Sequence, residues 1–410
     1  MKKKHRKTNP TRCKMPVLRQ LVNLIPPHLI PKLARETGVA EQARDFDPNS
    51  HVVALMEAQL THSIGLNDVC DRLRLQEGLL ATIRGAKPPH RNTFSHANRT
   101  RNPEMAEKLF WATLEHLEQL RPGFARGHRG KGLLRRFRRS IHVMDSTVLE
   151  LVANCMDWAK HRRRKAAAKC HLRLNLQSFL PGFAIVDTAR ENDAKRAREL
   201  CAGLKSGEIS IFDKAYVDFG HLGELDERGV IWVTRGKENL AYEVVAKLPA
   251  SGKIVKDELI VRPNHKAGEI EVIRRVEAWV EIEGKERVMV FLSNQLTWSP
   301  QTIVDLYRCR WQIEVFFKQI KQSLQLCDFL GHNANAVRWQ VWTALLVYVL
   351  LRFQAFLSRW PHSFTRLFTL VRSALWQRLD LLSLLKSYGT AGGSFRMLGA
   401  PEQAYLPGLG

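Results

Sequence analysis

The chain has 410 residues, 45% of them hydrophobic, which is enough for two or three domains with apolar cores. Its 64 Lys and Arg residues outnumber 40 Asp and Glu residues, so the formal net charge is +24. Such a charge attracts polyanions, and nucleic acid is the expected partner. Seven cysteines without a Cys-x-x-Cys pair exclude a disulfide framework or a zinc module and indicate reduced thiols in a cytoplasmic protein.

Two further classes are excluded by short patterns. The most hydrophobic run begins at Val341 and ends before Arg352, which is short for a membrane span, so we expect a buried helix and no membrane partner. None of the four Gly-Lys dipeptides is followed by Ser or Thr. The chain therefore has no phosphate-binding loop of the P-loop type, and no nucleotide cofactor is expected.

The N-terminal third predicts helices. Three helical segments lie between residues 16 and 120, and a polar, basic stretch at 84–101 separates the second from the third. That stretch has the composition expected where a helical unit meets a DNA backbone, although a purely structural helical domain is the alternative. Basic residues also cluster at 1–20, 121–140 and 160–165, which favours contacts with phosphates.

The hydrophobic period changes to that of strands at residue 140. Residues 140–235 predict three strands, a helix and two more strands, an order that suits a mixed sheet with helices on its faces. Residues 236–297 predict further β-structure. A helix beginning near Ser299 follows, and residues 335–389 predict a helical tail rich in Leu, Trp and Phe.

Polar residues recur at regular positions along the helix after Ser299. On one continuous helix, at about 100° per residue, four of them fall within a narrow arc: Tyr307, Arg310, Glu314 and Lys321. An apolar stripe lies about 80° away and predicts the docking face: Leu306, Ile313, Phe317, Ile320 and Leu324. A solvated amphipathic helix is the alternative interpretation.

Two Asp residues accompany the predicted strands. Asp145 lies in mid-strand between apolar residues, where an unpaired carboxylate is costly, and pairing with a nearby Arg is the structural alternative. Asp213 follows an apolar strand at a polar turn, a position that Asp also favours for structural reasons. Three rival carboxylates are less well placed: Asp187, Asp193 and Asp218.

The spacing Tyr-x2-Arg-x3-Glu-x6-Lys resembles the signature of DDE transposases of the insertion-sequence-four family. The contexts Asp145-Ser146-Thr147 and Asp213-Lys214-Ala215-Tyr216 are similar to those of the family's two catalytic Asp residues. One departure is that Lys214-Ala215 stands where the family commonly has Arg-Gly, which keeps the charge but loses bidentate phosphate geometry.

The resemblance implies an α/β fold with a ribonuclease-H-like catalytic core. This core is a mixed five-stranded sheet with flanking helices, and a β-rich insertion interrupts it. The implied divisions are a helical N-terminal DNA-binding region with a basic tail (1–135), the core (136–235 and 298–334), the insertion (236–297) and a helical C-terminal region (335–410).

The resemblance also implies a function. The protein would be a transposase of a bacterial insertion sequence that binds terminal inverted repeats and catalyses metal-dependent DNA cleavage and 3′-OH strand transfer, cut-and-paste, via a hairpin. Asp145, Asp213 and Glu314 would be the catalytic ligands of two Mg2+ ions, which Mn2+ could replace. The partners would be double-stranded DNA, as terminal repeats and target, and a second copy in a homodimeric synaptic complex, at the nucleoid in the cytoplasm.

Predicted DNA contacts come from several elements. The helix after Ser299 supplies Tyr307, Arg310, Lys318 and Lys321. Lys169 and His171 lie in a stretch that resembles the family's Ala-Lys-x-His, and they are DNA or structural contacts. Trp279 in the insertion is a candidate for stacking on an extruded base, with a buried core Trp as the alternative.

Two functional alternatives remain. A decayed derivative of such an element would bind DNA through its basic surfaces without metal-dependent cleavage. A nuclease or resolvase on a ribonuclease-H-like core would cleave without transferring the 3′ end.

Overall fold

The computed structural model describes residues 9–41, 45–126, 134, 137–151, 160–162, 165–188, 193–263, 269–282, 284–324 and 329–388. Parts of the three predicted basic clusters lie outside this range. They are residues 1–8 of the first cluster, 127–133, 135 and 136 of the second, and 163 and 164 of the third. The chain divides into two compact units. We call Met1–Ala125, Leu149–Ala168 and Phe317–Leu398 the helical unit, and Arg126–Val148, Lys169–Phe316 and Gly399–Gly410 the sheet unit.

The N-terminal region is helical, as predicted. Pro26 and Pro27 divide its first predicted segment into two helices, since Pro cannot donate to the helical ladder. The helices are α1 (Val17–Val22), α2 (Leu29–Glu36), α3 (Pro48–Thr61), α4 (Leu66–Leu75), α5 (Glu77–Ala81), α6 (Arg91–Thr100), α7 (Glu104–Leu120) and α8 (Pro122–Arg126). The basic stretch 84–101, predicted to separate helices, therefore contains a helix of its own.

The strands and their accompanying helices follow in chain order. They are β1 (Ile141–Leu151), β2 (Lys160–Arg162), β3 (Lys165–Asn175), β4 (Pro181–Thr188), α9 (Asp193–Cys201), β5 (Ile209–Phe212), α10 (Phe219–Glu227), β6 (Ile231–Arg235), β7 (Glu243–Leu248), β8 (Ile254–Val261), β9 (Ile273–Ile282) and β10 (Lys285–Ser293). The strand order is β2-β3-β1-β5-β6-β10-β9-β8-β7, with β4 paired to β3.

The predicted five-stranded core is present in this sheet. Strands β4, β3, β1, β5 and β6 are neighbours, and the pairs β1–β5 and β5–β6 are parallel. This is the ribonuclease-H-like arrangement that the sequence implied. The predicted β-rich insertion is confirmed as antiparallel strands β7–β10, which extend the same sheet because β10 pairs with β6.

Helices cover the core strands with a continuous apolar layer. Leu200 of α9 and Leu222 of α10 pack in one buried cluster with Met144, Phe212 and Trp232 from β1, β5 and β6. Burial of such side chains contributes roughly 1.5–3 kcal/mol each, which fixes the strands that carry the functional residues.

The expectation of one continuous helix after Ser299 is wrong. The chain forms α11 (Pro300–Arg308) and α12 (Trp311–Ser323), and Cys309 and Arg310 make a tight turn whose amides donate to carbonyls three residues back. The helix start is confirmed, since the Ser299 side chain accepts from the Thr302 amide as an N-cap. The apolar stripe is also confirmed, because all five of its residues are buried.

The C-terminal region is helical, with α13 (Ala334–Ser358), α14 (Phe364–Ser373) and α15 (Leu381–Ser387). Helix α13 is long and apolar enough to cross a membrane by composition, yet most of its apolar window is buried inside the protein. It is therefore the core helix of the helical unit, as the run at Val341 predicted. The five cysteines within the described residues are free thiols.

Candidate active site

The sheet brings the two predicted Asp residues side by side. Met144 of β1 lies opposite Phe212 of the parallel strand β5, and Asp145 and Asp213 are the next residues along each chain. Neighbouring strands lie about 4.8 Å apart, so the two carboxylates leave the sheet at one level. Strand β5 ends here because the Asp213 side chain accepts from the Lys214 amide at 2.6 Å and starts a single 3-10 turn, whereas β1 continues to Leu151.

Asp145 is a half-buried carboxyl. Its side chain is 17% exposed, and its Oδ1 accepts from the Ser146 amide at 2.8 Å. Burial raises the pKa of Asp145 to about 6, and the negative charges of Glu314 and Asp213 act in the same direction while Arg310 opposes them. A carboxyl with this pKa accepts a cation readily near neutral pH.

Arg310 links two of the three predicted carboxylates. From the turn between α11 and α12, its Nη1 donates to Asp145 Oδ2 at 2.7 Å and its Nη2 donates to Glu314 Oε1 at 2.6 Å. Burial lowers the pKa of Arg310, but its neighbours, including both carboxylates, outweigh burial and raise it above its ordinary value. The guanidinium is therefore a fixed positive charge in the cluster.

Tyr307 holds the third carboxylate. Its hydroxyl donates to Asp213 Oδ1 at 3.2 Å, and burial raises the pKa of Tyr307 above its ordinary value. The phenol keeps its proton at neutral pH and can donate to an anion. The structure shows the alternative stated for Asp145, pairing with an Arg. The sequence did not identify Arg310 as that partner or Tyr307 as the partner of Asp213, because these pairings depend on the bend at Cys309 and on the sheet register.

The donor set fits a divalent cation. Asp145, Asp213 and Glu314 supply the hard oxygen atoms that such ions prefer, and Arg310 pairs with two of them. In the described part of the chain, no three His, Cys, Asp or Glu residues form a ready metal cluster, since the Arg310 guanidinium lies between Asp145 and Glu314. The carboxylate oxygens have the chemistry and the negative charge that a divalent cation needs. In this structure the Arg310 guanidinium neutralises part of that negative charge.

Other predicted residues lie elsewhere in the fold. Lys318 is exposed and Lys321 half-buried on α12, while Lys169 is half-buried on β3. His171 is fully buried with its Nδ1 3.2 Å from the Tyr216 hydroxyl, which supports a structural contact. Trp279 on β9 is 44% exposed, unlike a core Trp.

A rival carboxylate has a structural role. The Asp218 side chain accepts from the His221 amide and caps α10, and it pairs with Arg198. The side chains of Asp187 and Asp193 lie outside the described residues.

Sequence reasoning missed a buried ion-pair network in the insertion. Arg274 donates to Asp257 through Nε at 2.8 Å and Nη2 at 2.6 Å, and its Nη1 donates to the carbonyl oxygens of Gln295, Leu296 and Trp298. Arg274 thus ties β8 and β9 to the segment that leads into α11. The sequence signal that could have predicted these ion pairs is the occurrence of charged residues within otherwise apolar strands.

The comparison with known protein families gives the class of this chain. The model of the family described as "Transposase DDE domain" matches residues 136–350, more than half of the chain, and the chain belongs to this family. It is a DDE transposase of the insertion-sequence type, and this family implies divalent metal ions. A family described only as a domain of unknown function matches residues 14–84.

Curated relatives agree with this assignment. "Putative transposase y4zB" of Sinorhizobium fredii is 31% identical over 267 residues, 64% of this chain and 74% of that protein. The "Transposase InsG for insertion sequence element IS4" of Escherichia coli is 24% identical over 188 residues, 44% of this chain and 42% of that protein. A solved piggyBac transposase synaptic complex with hairpin DNA aligns with a TM-score of 0.47 at 9% identity, covering 92% of this chain and 84% of that one.

Proposed function

We propose that this transposase binds the terminal inverted repeats of a bacterial insertion sequence, cleaves DNA at the element ends and transfers the 3′-OH to target DNA, by cut-and-paste through a hairpin. The observation that carries the proposal is that Arg310 joins Asp145 and Glu314, while Tyr307 from the same segment binds Asp213, the neighbour of Asp145 across the sheet. A purely structural cluster would pair its buried charges, whereas this one has three carboxylates and one guanidinium.

Asp145, Asp213 and Glu314 would hold two Mg2+ ions, with Mn2+ as a substitute. When bound, such ions activate the attacking oxygen and stabilise the leaving oxygen of the phosphoryl transfer. Arg310 then has its guanidinium available to neutralise phosphate oxygens, and the Tyr307 hydroxyl donates a hydrogen bond to the same strand. Both groups already lie within the cluster, so a small side-chain movement suffices.

The DNA partner is supported by charge and exposure. The formal charge of +24 favours a polyanion. Lys318 and Lys321 on α12 and Lys169 on β3 would contact phosphates, and the exposed Trp279 ring would stack on an extruded base, which is worth roughly 1–3 kcal/mol. Two copies would pair the two element ends in a synaptic complex at the nucleoid in the cytoplasm.

The test compares wild type with Glu314→Gln on duplex DNA carrying the flanking element ends, with Mg2+ or Mn2+. Glu227→Gln is the matched control, because Glu227 is an exposed residue of α10 in the same unit. We expect nicks, hairpins and strand transfer in wild type and control, and binding without cleavage in Glu314→Gln. Equal cleavage in all three would refute the role of Glu314. Binding without cleavage by wild type would indicate a decayed element, and cleavage without strand transfer a nuclease.

A further inference from the structure

Helix α6 has one buried face and one exposed polar face. Phe94, Ala97 and Asn98 are buried. Six of the remaining residues are exposed, and five of these fall within about 140° of the helix circumference. The five are Arg91, Asn92, Ser95, His96 and Arg99, and Thr93 is the sixth.

The exposed face of α6 is basic without any acidic residue. Between Lys87 and Arg101 the sequence has no Asp or Glu. The neighbouring helix α4 carries exposed Asp68 and Asp71, and α7 carries several Glu residues. The charge of α6 thus fits a polyanion better than that of either neighbour.

The buried face holds α6 rigidly in the helical unit. The Phe94 ring lies 5.9 Å from the Phe46 ring and 6.0 Å from the His51 ring, and Asn98 Oδ1 lies 2.8 Å from His51 Nε2. At the far end, Asn333 and Asn335 donate to the carbonyl oxygen of the last turn at 3.1 and 3.0 Å. A helix held by its buried face and its last turn presents its exposed face at low entropic cost.

The side chains on the exposed face are available for a ligand. Within the residues that the structure describes, the side chains of Arg91, Asn92 and Thr93 make no hydrogen bond or ion pair inside the chain. Arg and Asn are the side chains that read guanine and adenine by paired hydrogen bonds in the major groove. Lys87 and Arg99 flank them at the two ends and suit phosphates.

We propose that α6 is the recognition helix of this transposase, with Arg91 and Asn92 at base edges in the major groove of the element-end DNA and Ser95 and His96 beside them. The proposal rests on the proposed function for its ligand. The helix is about 15 Å long, and the groove of about 12 Å width admits such a helix.

The test measures preference for end DNA over shuffled DNA. Wild type, Asn92→Ala and Arg91→Ala are titrated with a duplex carrying the flanking element end and with a shuffled duplex of equal length, without divalent metal, over a salt series. Lys32→Ala is the control, because Lys32 is an exposed lysine of α2 that pairs with Glu36. Far-UV circular dichroism checks that each variant folds.

Asn92→Ala should lose about tenfold to a hundredfold of the preference, with its affinity for shuffled DNA and its salt dependence unchanged, since no charge is removed. Arg91→Ala should lose a similar preference and reduce the salt slope by about one. Lys32→Ala should keep the full preference.

Full preference in folded Asn92→Ala and Arg91→Ala, or no preference in wild type, would overturn the proposal. Failure of catalysis is seen separately. If wild type prefers end DNA through these residues but never cleaves it, the recognition helix stands and the proposed function fails.

Discussion

The candidate active site and the insertion both bring carboxylates and arginines together in the sheet unit. In the insertion, three acidic and three basic side chains pair in two separate groups. Arg274 pairs bidentately with Asp257. The second group joins Lys256, Glu277, Arg275 and Glu258. In the candidate active site, the Arg310 guanidinium pairs with Asp145 and Glu314, and Asp213 accepts only from the Tyr307 hydroxyl among the side chains of the described residues.

The balance between acidic and basic side chains distinguishes a structural ion pair from a site that can bind a cation. A buried ion pair that is balanced and fully hydrogen-bonded has no need of a further ion, and removing one partner leaves an uncompensated charge. A cluster with excess carboxylates keeps an affinity for cations. The raised pKa of Asp145, about 6, reflects that excess together with burial. Substitutions that change the charge balance at one place should therefore change cleavage, stability or metal binding.

The largest effect is expected for Asp145→Asn. Loss of this carboxylate should reduce metal-dependent cleavage of element-end DNA by about a thousandfold or more, or roughly 4 kcal/mol of transition-state stabilisation. The measurement is single-turnover cleavage with Mg2+, with Glu227→Gln as control. DNA affinity should not fall, since a negative charge is removed. Cleavage within tenfold of wild type would show that Asp145 is not a ligand.

In the insertion, Arg274→Met should destabilise the protein by about 3–5 kcal/mol, because Asp257 would remain buried without a partner. Urea unfolding measures this change. The matched variant Arg274→Met with Asp257→Leu removes both charges and should recover most of the lost stability. If the double variant is no more stable than the single one, packing and not charge balance explains the network.

Glu57 of α3 is a third case, a fully buried carboxyl whose ion-pair partner, Arg72 Nε, lies 3.6 Å away. Burial raises the pKa of Glu57 to about 7 against the opposing effect of Arg72. Because the folded state holds this proton more tightly than the unfolded state, Glu57 lowers stability as pH rises from about 4.5 to 7, by roughly 3 kcal/mol in total.

Glu57→Gln should remove this part of the pH dependence and make the protein more stable than wild type at pH 8. Urea unfolding at pH 5 and pH 8 measures both proteins. Equal pH dependence in wild type and variant would show that Glu57 is ionised throughout.

The smallest expected effect is the difference between wild type and Arg310→Gln in the stabilisation that Mg2+ gives. Mg2+ at a hundredfold over its Kd should stabilise wild type by about 2.7 kcal/mol. Arg310→Gln removes the competing guanidinium, so it should be less stable without metal and should gain about 1 kcal/mol more from Mg2+. Thermal unfolding with and without Mg2+ tests this, and Arg287→Gln, at an exposed arginine of β10, is the control. An equal or smaller gain in Arg310→Gln would show that the guanidinium does not compete with the ion.

Several features followed from local sequence alone. Apolar, β-type residues predict that Asp145 lies within a strand and that Asp213 directly follows one, and β1 and β5 confirm both positions. The start of α11 followed from the Ser-Pro pair at residue 299, and the buried run at Val341 followed from its composition. In each case the relevant physics, hydrophobic period or capping, acts within a few residues along the chain.

The amino-acid sequence by itself determined the residue types at the candidate site, the strands that carry two of them and the positive charge that suits DNA. Only the tertiary structure decided which groups meet. The chain bends at Cys309, so the four polar residues predicted on one arc of a single helix do not share one helix. The bend allows Arg310 to reach both Asp145 and Glu314. Such pairings join residues up to 165 positions apart, and no local pattern encodes them, since they depend on strand register and on the competition between burial and charge.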